Sequence, residues 1–157
     1  MPKIHLTHFI QAPIERVFDL NRSLAVRKKG LHQKNAQVLS SSSKGLVDAG
    51  ETITLRAKHL GKTREMTARI TAFKHPHQFV EEQVKGDLKS YRHEYHCKPT
   101  ENGTILIDIL EFEGPRDLLG SWAAPFFLKS FFTTMLNRKN DLVRQYAESD
   151  KWRAVLE

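Results

Sequence analysis

The sequence predicts an α+β domain in which a curved antiparallel sheet of about seven strands grips one long C-terminal helix, with two short helices after strand 1. Three observations predict it. Residues 50–113 divide into five consecutive strands separated by turn residues, and their side chains alternate between an apolar and a polar face. Residues 118–148 change to helical periodicity. Ahead of both, an apolar and β-branched run is followed by a proline-initiated apolar helix.

Residues 3–10 form the first strand, and Ala12-Pro13 opens a helix over residues 14–20. Ile14, Val17, Phe18 and Leu20 give that helix a broad apolar side, and Glu15 suits the positive end of its dipole. A second helix over residues 23–29 ends at Gly30, and residues 37–43 form a weak, serine-rich strand running into Lys44-Gly45. Gly61-Lys62 closes the next hairpin with Leu60 opposite Thr63, so that Ala57, Leu55 and Ile53 face Met66, Ala68 and Ile70. The outer face of this pair carries Thr52, Thr54, Arg56 and Lys58 against Glu65, Thr67, Arg69 and Thr71.

The turn His75-Pro76-His77-Gln78 sets Ile70 opposite Gln83 and Ala72 opposite Glu81. The turn through Gly86 to Ser90 then brings Gln83 near His93 and Glu81 near Tyr95. A turn at Thr100-Glu101-Asn102-Gly103 pairs Tyr95 with Asp108, His93 with Leu110 and Tyr91 with Phe112, with Arg92 opposite Glu111 outside. The inner face thus gathers Glu81, Gln83, Tyr91, His93, Tyr95 and Asp108, flanked by Phe79, Cys97, Leu106, Leu110 and Phe112. Unpaired buried polar groups are costly, so this patch demands a hydrogen-bonded network or a wet cavity, and a cavity is the expectation. His59 and Arg64, at the far end of this face, are candidates for its mouth or plain surface residues. Outward-facing Ile105, Ile107 and Ile109 call for cover from a neighbouring strand or another subunit.

In the terminal helix, Phe127, Phe131, Met135, Leu142 and Tyr146 share one side, joined by Leu128, Phe132, Leu136 and Val143. Arg138, Lys139, Arg144 and Glu148 take much of the rest, and Pro125 marks a kink or restart. The aromatic group Trp122, Phe126, Phe127, Phe131 and Phe132 covers more than one helical face, leaving residues for a portal, a homodimer contact or a lipid-facing lid.

At 157 residues, 39% apolar and 27% charged, the chain is expected to form a single globular domain spanning residues 1–157. No window reaches the apolar length of a membrane span, and the N-terminus has the pattern of a strand rather than a signal peptide. A single cysteine, Cys97, suits a reducing compartment, and the cytoplasm is the expected location. A net charge of +7 describes a solvated basic surface, without the zinc-finger spacing or RNA-reading signature of a nucleic-acid module. No metal site is expected: His93 and His96 lie on opposite faces of a strand, as do His5 and His8, while His75 and His77 flank a proline. No cofactor is expected either, since phosphate-binding glycine loops are lacking, and Ser40 to Ser43 lack the strand-to-helix elbow of a serine nucleophile.

The segments IQAPIERVFDL, GETITLRAKHLGK, MTARITAFKHPHQFVEEQVKG and YRHEYHCKPTENGTILIDILEFEGP, then LLG and the long terminal helix, together resemble the START/Bet v 1-like (SRPBCC) superfamily. The likeness is greatest to bacterial ligand-binding SRPBCC proteins related to polyketide cyclases, and it spans nearly the whole chain. The resemblance implies the helix-grip fold: a strand, two helices, six strands and a long helix around an internal cavity. Members bind lipids, sterols, polyketides or plant hormones, and a minority catalyse cyclisation, aromatisation or hydration. The His93 and Asp108 positions agree with the family pattern.

The leading expectation is therefore binding or carriage of a small, largely apolar or amphipathic ligand, such as a lipid, sterol or polyketide-like molecule. Ile53, Leu55, Met66, Ile70, Phe79, Leu110, Phe127, Phe131 and Met135 would supply the wall, and Glu81, Gln83, Tyr91, His93, Tyr95 and Asp108 the polar contacts. The alternative is a cyclase, dehydratase or hydratase with His93 or Asp108 as base, Tyr95 as donor and Glu81 as a further acid–base group. A third expectation places protein, RNA or a membrane surface against the basic exterior.

Overall fold

The computed structural model describes residues 2–31, 35–118, 120 and 122–157. The chain runs β1 (Lys3–Ile10), α1 (Ile14–Asn21), α2 (Leu24–Gly30), β2 (Gln37–Ser40), β3 (Thr52–His59), β4 (Lys62–Lys74), β5 (Gln78–Gly86), β6 (Leu88–Thr100), β7 (Gly103–Pro115), a 3-10 turn (Arg116–Leu118), α3 (Ala124–Ala147) and α4 (Arg153–Leu156). Seven antiparallel strands form one sheet in the order β1-β7-β6-β5-β4-β3-β2. This is the expected α+β arrangement, with α3 against β1, β7 and the two short helices. Ser23 caps α2 by accepting from the Val26 amide at 3.3 Å, which satisfies one orphan donor of the first turn.

Three registers differ from expectation, and the faces are as expected except past Ile70, where Ala72, expected inside, is exposed and Phe73 packs against the core instead. Leu60 and Gly61 are the central residues of the β3–β4 turn, with φ of 51° and 83°, and His59 pairs with Lys62. Two successive positive φ values match the right-handed strand twist, and glycine takes the second at no steric cost. Leu55 therefore faces Met66, and Ile53 faces Ala68. A register irregularity at Ile70/Ala72 places Ile70 opposite Glu81, and Ala68 opposite Gln83. Glu81 pairs with His93, and Phe79 with Tyr95, along the short β5–β6 ladder. The β6–β7 pairing follows expectation, including Tyr95 with Asp108, His93 with Leu110 and Arg92 with Glu111. The β3–β4 and β5–β6 registers each lie two residues from expectation, and a two-residue slip keeps every side chain on its own face. Ile105, Ile107 and Ile109 are half-buried beside Phe9, Thr7 and His5 of β1.

The terminal helix begins at Ala124 rather than near residue 118, and Pro125 occupies its first turn instead of kinking it. Expected helical residues 119 and 121 lie outside the described residues, as does the His59 side chain. The helix buries Leu128, Phe131, Phe132, Leu136, Val143 and Tyr146, but also Lys139 and Asn140. Lys139 was expected on the polar side; Phe127 was expected inside and is 48% exposed. The short α4 was not expected; before it, Trp152 lies 4.2 Å beneath the Arg16 guanidinium.

The apolar interior has two parts. One packs α1 and the C-terminal half of α3 over Ile10, Phe79, Tyr95 and Leu106. The other packs the N-terminal half of α3 over Tyr91, Leu110 and Phe112. Leu136 belongs to one cluster and Val143 to the other, and Lys139 and Asn140 lie between them in α3. In β7, Asp108 lies between Leu106 and Leu110, and in β6, His93 lies between Tyr91 and Tyr95. The polar groups form a seam between two cores.

Candidate functional site

The seam is held by hydrogen bonds at full burial. Asp108, wholly buried, lies 2.8 Å through Oδ1 from His93 Nε2, accepts from Asn140 Nδ2 at 2.7 Å through Oδ2, and stands 3.4 Å from Lys139 Nζ. Lys139 also donates to Asn21 Oδ1 at 2.5 Å and sits 4.7 Å over the Tyr95 ring. Burial by itself would raise the Asp108 pKa, but the Lys139 charge and the His93 and Asn140 hydrogen bonds hold it well below the usual carboxylate range. Burial pushes the Lys139 pKa down, and the Asp108 charge only partly opposes this. We take the ion pair as the resident state, because an aspartate with three buried polar partners is stabilised in its charged form.

Burial lowers the His93 pKa against the opposing pull of Asp108, so the ring is neutral at pH 7. With Asp108 ionised, His93 Nε2 carries the proton and donates, and Nδ1 is left as an acceptor. That buried Nδ1 has no hydrogen-bond partner among the described residues. The ring stacks on Tyr95 with centroids 3.7 Å apart, and Tyr95 in turn stacks on Phe79 at 4.2 Å.

A second charged pair stands alongside. Tyr95 donates to Glu81 Oε2 at 3.0 Å, and Arg27 Nη2 lies 2.5 Å from Glu81 Oε1. Arg27 and Glu81 form a close buried ion pair, and Arg27 Nε has no hydrogen-bond partner among the described residues. Burial would lower the Arg27 pKa, yet Glu81 more than reverses it and the guanidinium stays charged. Burial, more than any neighbour, pushes the Tyr95 and Tyr91 hydroxyls well above their ordinary value, so both remain neutral donors.

Between the seam and α3 lies a cavity of about 60 Å³. Its apolar wall comes from Leu31, Val38, Ile53, Leu55, Met66, Ala68, Met135 and Leu136, and its polar lining from Arg27, Glu81, Tyr91, His93, Tyr95 and Lys139. Such a volume holds a few water molecules or one small organic group. A lipid, sterol or polyketide-sized ligand does not fit unless sheet and helix separate, since pockets for such molecules run to about 300–1,000 Å³.

Of the residues expected to form the site, Ile53, Leu55, Met66, Glu81, Tyr91, His93, Tyr95 and Met135 line this cavity. Asp108 stands behind His93, so it is not placed to touch a ligand directly. Gln83 donates instead to the Leu88 carbonyl at 2.8 Å. Ile70 and Phe79 belong to one apolar core, and Leu110 and Phe131 to the other. Phe127 faces outward. Arg64, expected at a mouth or on the surface, is buried, with Nη1 2.5 Å from Asp87 and 3.1 Å from Asp117. Arg27, Lys139, Asn21 and Asn140 were missed. Asn140 follows Lys139 within an otherwise apolar helical stripe, and that break in the stripe was the available signal.

Cys97 is 2% exposed, and burial pushes its thiol up to about 12. It is expected to stay unreactive toward a disulfide-exchange reagent at pH 8 until the protein is unfolded; rapid modification of the native protein would contradict this burial. Among the described residues no group of His, Cys, Asp or Glu side chains is placed to hold a metal ion, and no helix is long and apolar enough to cross a membrane.

No family model and no curated protein matches the chain by sequence. Solved structures do match by fold. TTHA0849 from Thermus thermophilus aligns with a TM-score of 0.71 at 18% identity, over 90% of this chain and 97% of that one. A START superfamily protein from Mycobacterium smegmatis aligns at 0.67 and 13%, over 93% and 97%. The fold is the START/Bet v 1-like helix grip. A third helix-grip match is StfQ, a di-domain ARO/CYC from the steffimycin biosynthetic pathway, with a TM-score of 0.72 at 11% identity over 93% of this chain and 50% of that protein.

Proposed function

We propose that this helix-grip protein binds a small amphipathic molecule in the cavity between its sheet and α3. The observation that carries the reading is that residues lining one cavity keep polar atoms with no hydrogen-bond partner among the described residues: Arg27 Nε, a donor, and His93 Nδ1, an acceptor. Each is costly to leave unsatisfied, so a ligand offering a donor and an acceptor at one end gains from both. The apolar end would meet Ile53, Leu55, Met66 and Met135.

A second reading is favoured by the His93–Asp108 pair. A neutral histidine held in one tautomer by a buried carboxylate is a suitable general base, and Tyr95 is a neutral donor beside it. The ARO/CYC name of StfQ belongs to the same class of possibilities. On this reading the bound molecule is turned over, with His93 Nδ1 taking the proton and Asp108 acting only through His93.

The test compares native with denaturing mass spectra of the protein purified from its own host. A stoichiometric small-molecule adduct, lost on denaturation and missing from Arg27→Met/Glu81→Gln, is the expected result. A bare mass from protein prepared under gentle conditions would overturn tight binding. An adduct unchanged in the double variant would move the site elsewhere.

A further inference from the structure

Beyond the cavity, the start of α3 carries apolar side chains that the fold leaves uncovered. Trp122 is 81% exposed, Phe126 70% and Phe127 48%. They are close in sequence, whereas Leu128, Phe131 and Phe132 of the same helix are turned inward. Three large aromatic side chains exposed within six residues are more than the scattered single apolar residues of an ordinary surface.

The charges around them select the partner. Phe126 and Lys129 border one shallow surface with Ser130 and Thr133. Lys129 is the one ionisable residue in α3 before Arg138, and the helix has no carboxylate before Asp141. Arg116, six residues before Trp122 in sequence, is exposed. The carboxylates at this end are already engaged: Asp117 with Lys62 at 3.0 Å and with Arg64 at 3.1 Å, and Asp87 with Arg64 at 2.5 Å. The stretch from Trp122 to Asn137 thus carries Lys129, beside Phe126, and no carboxylate, on a chain of net charge +7. A second copy of the chain would bring like charges together across the patch. An anionic surface with a soft apolar interior complements both features.

We propose that Trp122, Phe126 and Phe127 dock this end of the protein on an anionic lipid bilayer. The aromatic rings enter the interface between headgroups and acyl chains, while Lys129 and Arg116 meet lipid phosphates. The surface is shallow, and among the described residues no helix is long and apolar enough to cross a membrane. It does not depend on whether the cavity holds a ligand.

The experiment is sedimentation of the full chain with vesicles of phosphatidylcholine and phosphatidylglycerol, alongside pure phosphatidylcholine vesicles. Binding to the anionic vesicles is expected, weakening as salt is raised. It should be accompanied by a blue shift of tryptophan emission that disappears in Trp122→Phe. Phe126→Ser/Phe127→Ser is expected to reduce partitioning by about tenfold or more, while the protein stays folded because Phe126 is 70% and Phe127 48% exposed. Three outcomes would overturn the proposal: no binding to anionic vesicles, undiminished binding by the double variant, or equal binding to both vesicle types. Light scattering provides the remaining check, since a dimer that the double variant dissolves would assign the patch to a second copy of the chain instead.

Discussion

Asp108→Ala is expected to cost about 3–5 kcal/mol of folding stability. The carboxylate is fully buried and holds together His93, Asn140 and Lys139, which come from a strand and a helix on opposite sides of the interior. Removing it strands the Lys139 ammonium with Asn21 as its remaining hydrogen-bond acceptor. The measurement is a denaturant midpoint at unchanged slope. Asp108→Ala/Lys139→Met should recover part of the loss, because both buried charges then go together. A single variant within about 1 kcal/mol of the parent would show that the seam contributes nothing beyond an exposed pair.

Asp108 also gives stability a pH dependence of known sign. Its folded pKa lies below the ordinary value of 3.8, so as pH falls the unfolded chain takes up the proton first. Its contribution is complete above about pH 4 and fades in stronger acid. His93 adds to this at higher pH. Its folded pKa lies below 6.5, so beneath that value the unfolded ring binds a proton that the folded one refuses. Stability should therefore decline as pH drops below about 6.5, and His93→Gln should flatten the upper part of that decline.

Arg27→Met carries the second large effect. The Arg27 and Glu81 side chains are 11% and 4% exposed, so the substitution leaves Glu81 buried with Tyr95 as its remaining hydrogen-bond donor. The expected cost is again about 3–5 kcal/mol. Arg27→Met/Glu81→Gln removes both charges and should restore most of it, while abolishing the ligand adduct. Stability and binding thus separate in one protein. A double variant as unstable as the single would show that the two residues are not coupled. A double variant that keeps its ligand would remove both from the site.

The fold was legible because its signals are local. Alternation in residues 50–113 and the helical period beyond it fix which face of each element is apolar, and a two-residue register error leaves those faces unchanged. The β6–β7 pairing could be set by counting back from Asn102-Gly103, and so could the placement of His93 and Asp108 on one inner face. The β4–β5 register could not, because it depends on an irregularity at Ile70/Ala72 that no residue type announces.

Half of the site was beyond such reasoning. Arg27 lies in a basic Arg27-Lys28-Lys29 run that looks like solvated surface, and Lys139 follows Arg138 in the same way. Their burial depends on where α2 and α3 come to rest against the sheet, and on a carboxylate waiting at each position, Glu81 for one and Asp108 for the other. The sequence by itself determined the elements, their apolar faces and the acidic half of the polar seam, since periodicity is written in neighbouring residues. Only the tertiary structure decided the cationic half, the size of the cavity and the outward turn of Phe127. Those follow from packing between elements distant along the chain, where a buried charge is tolerable only beside its partner.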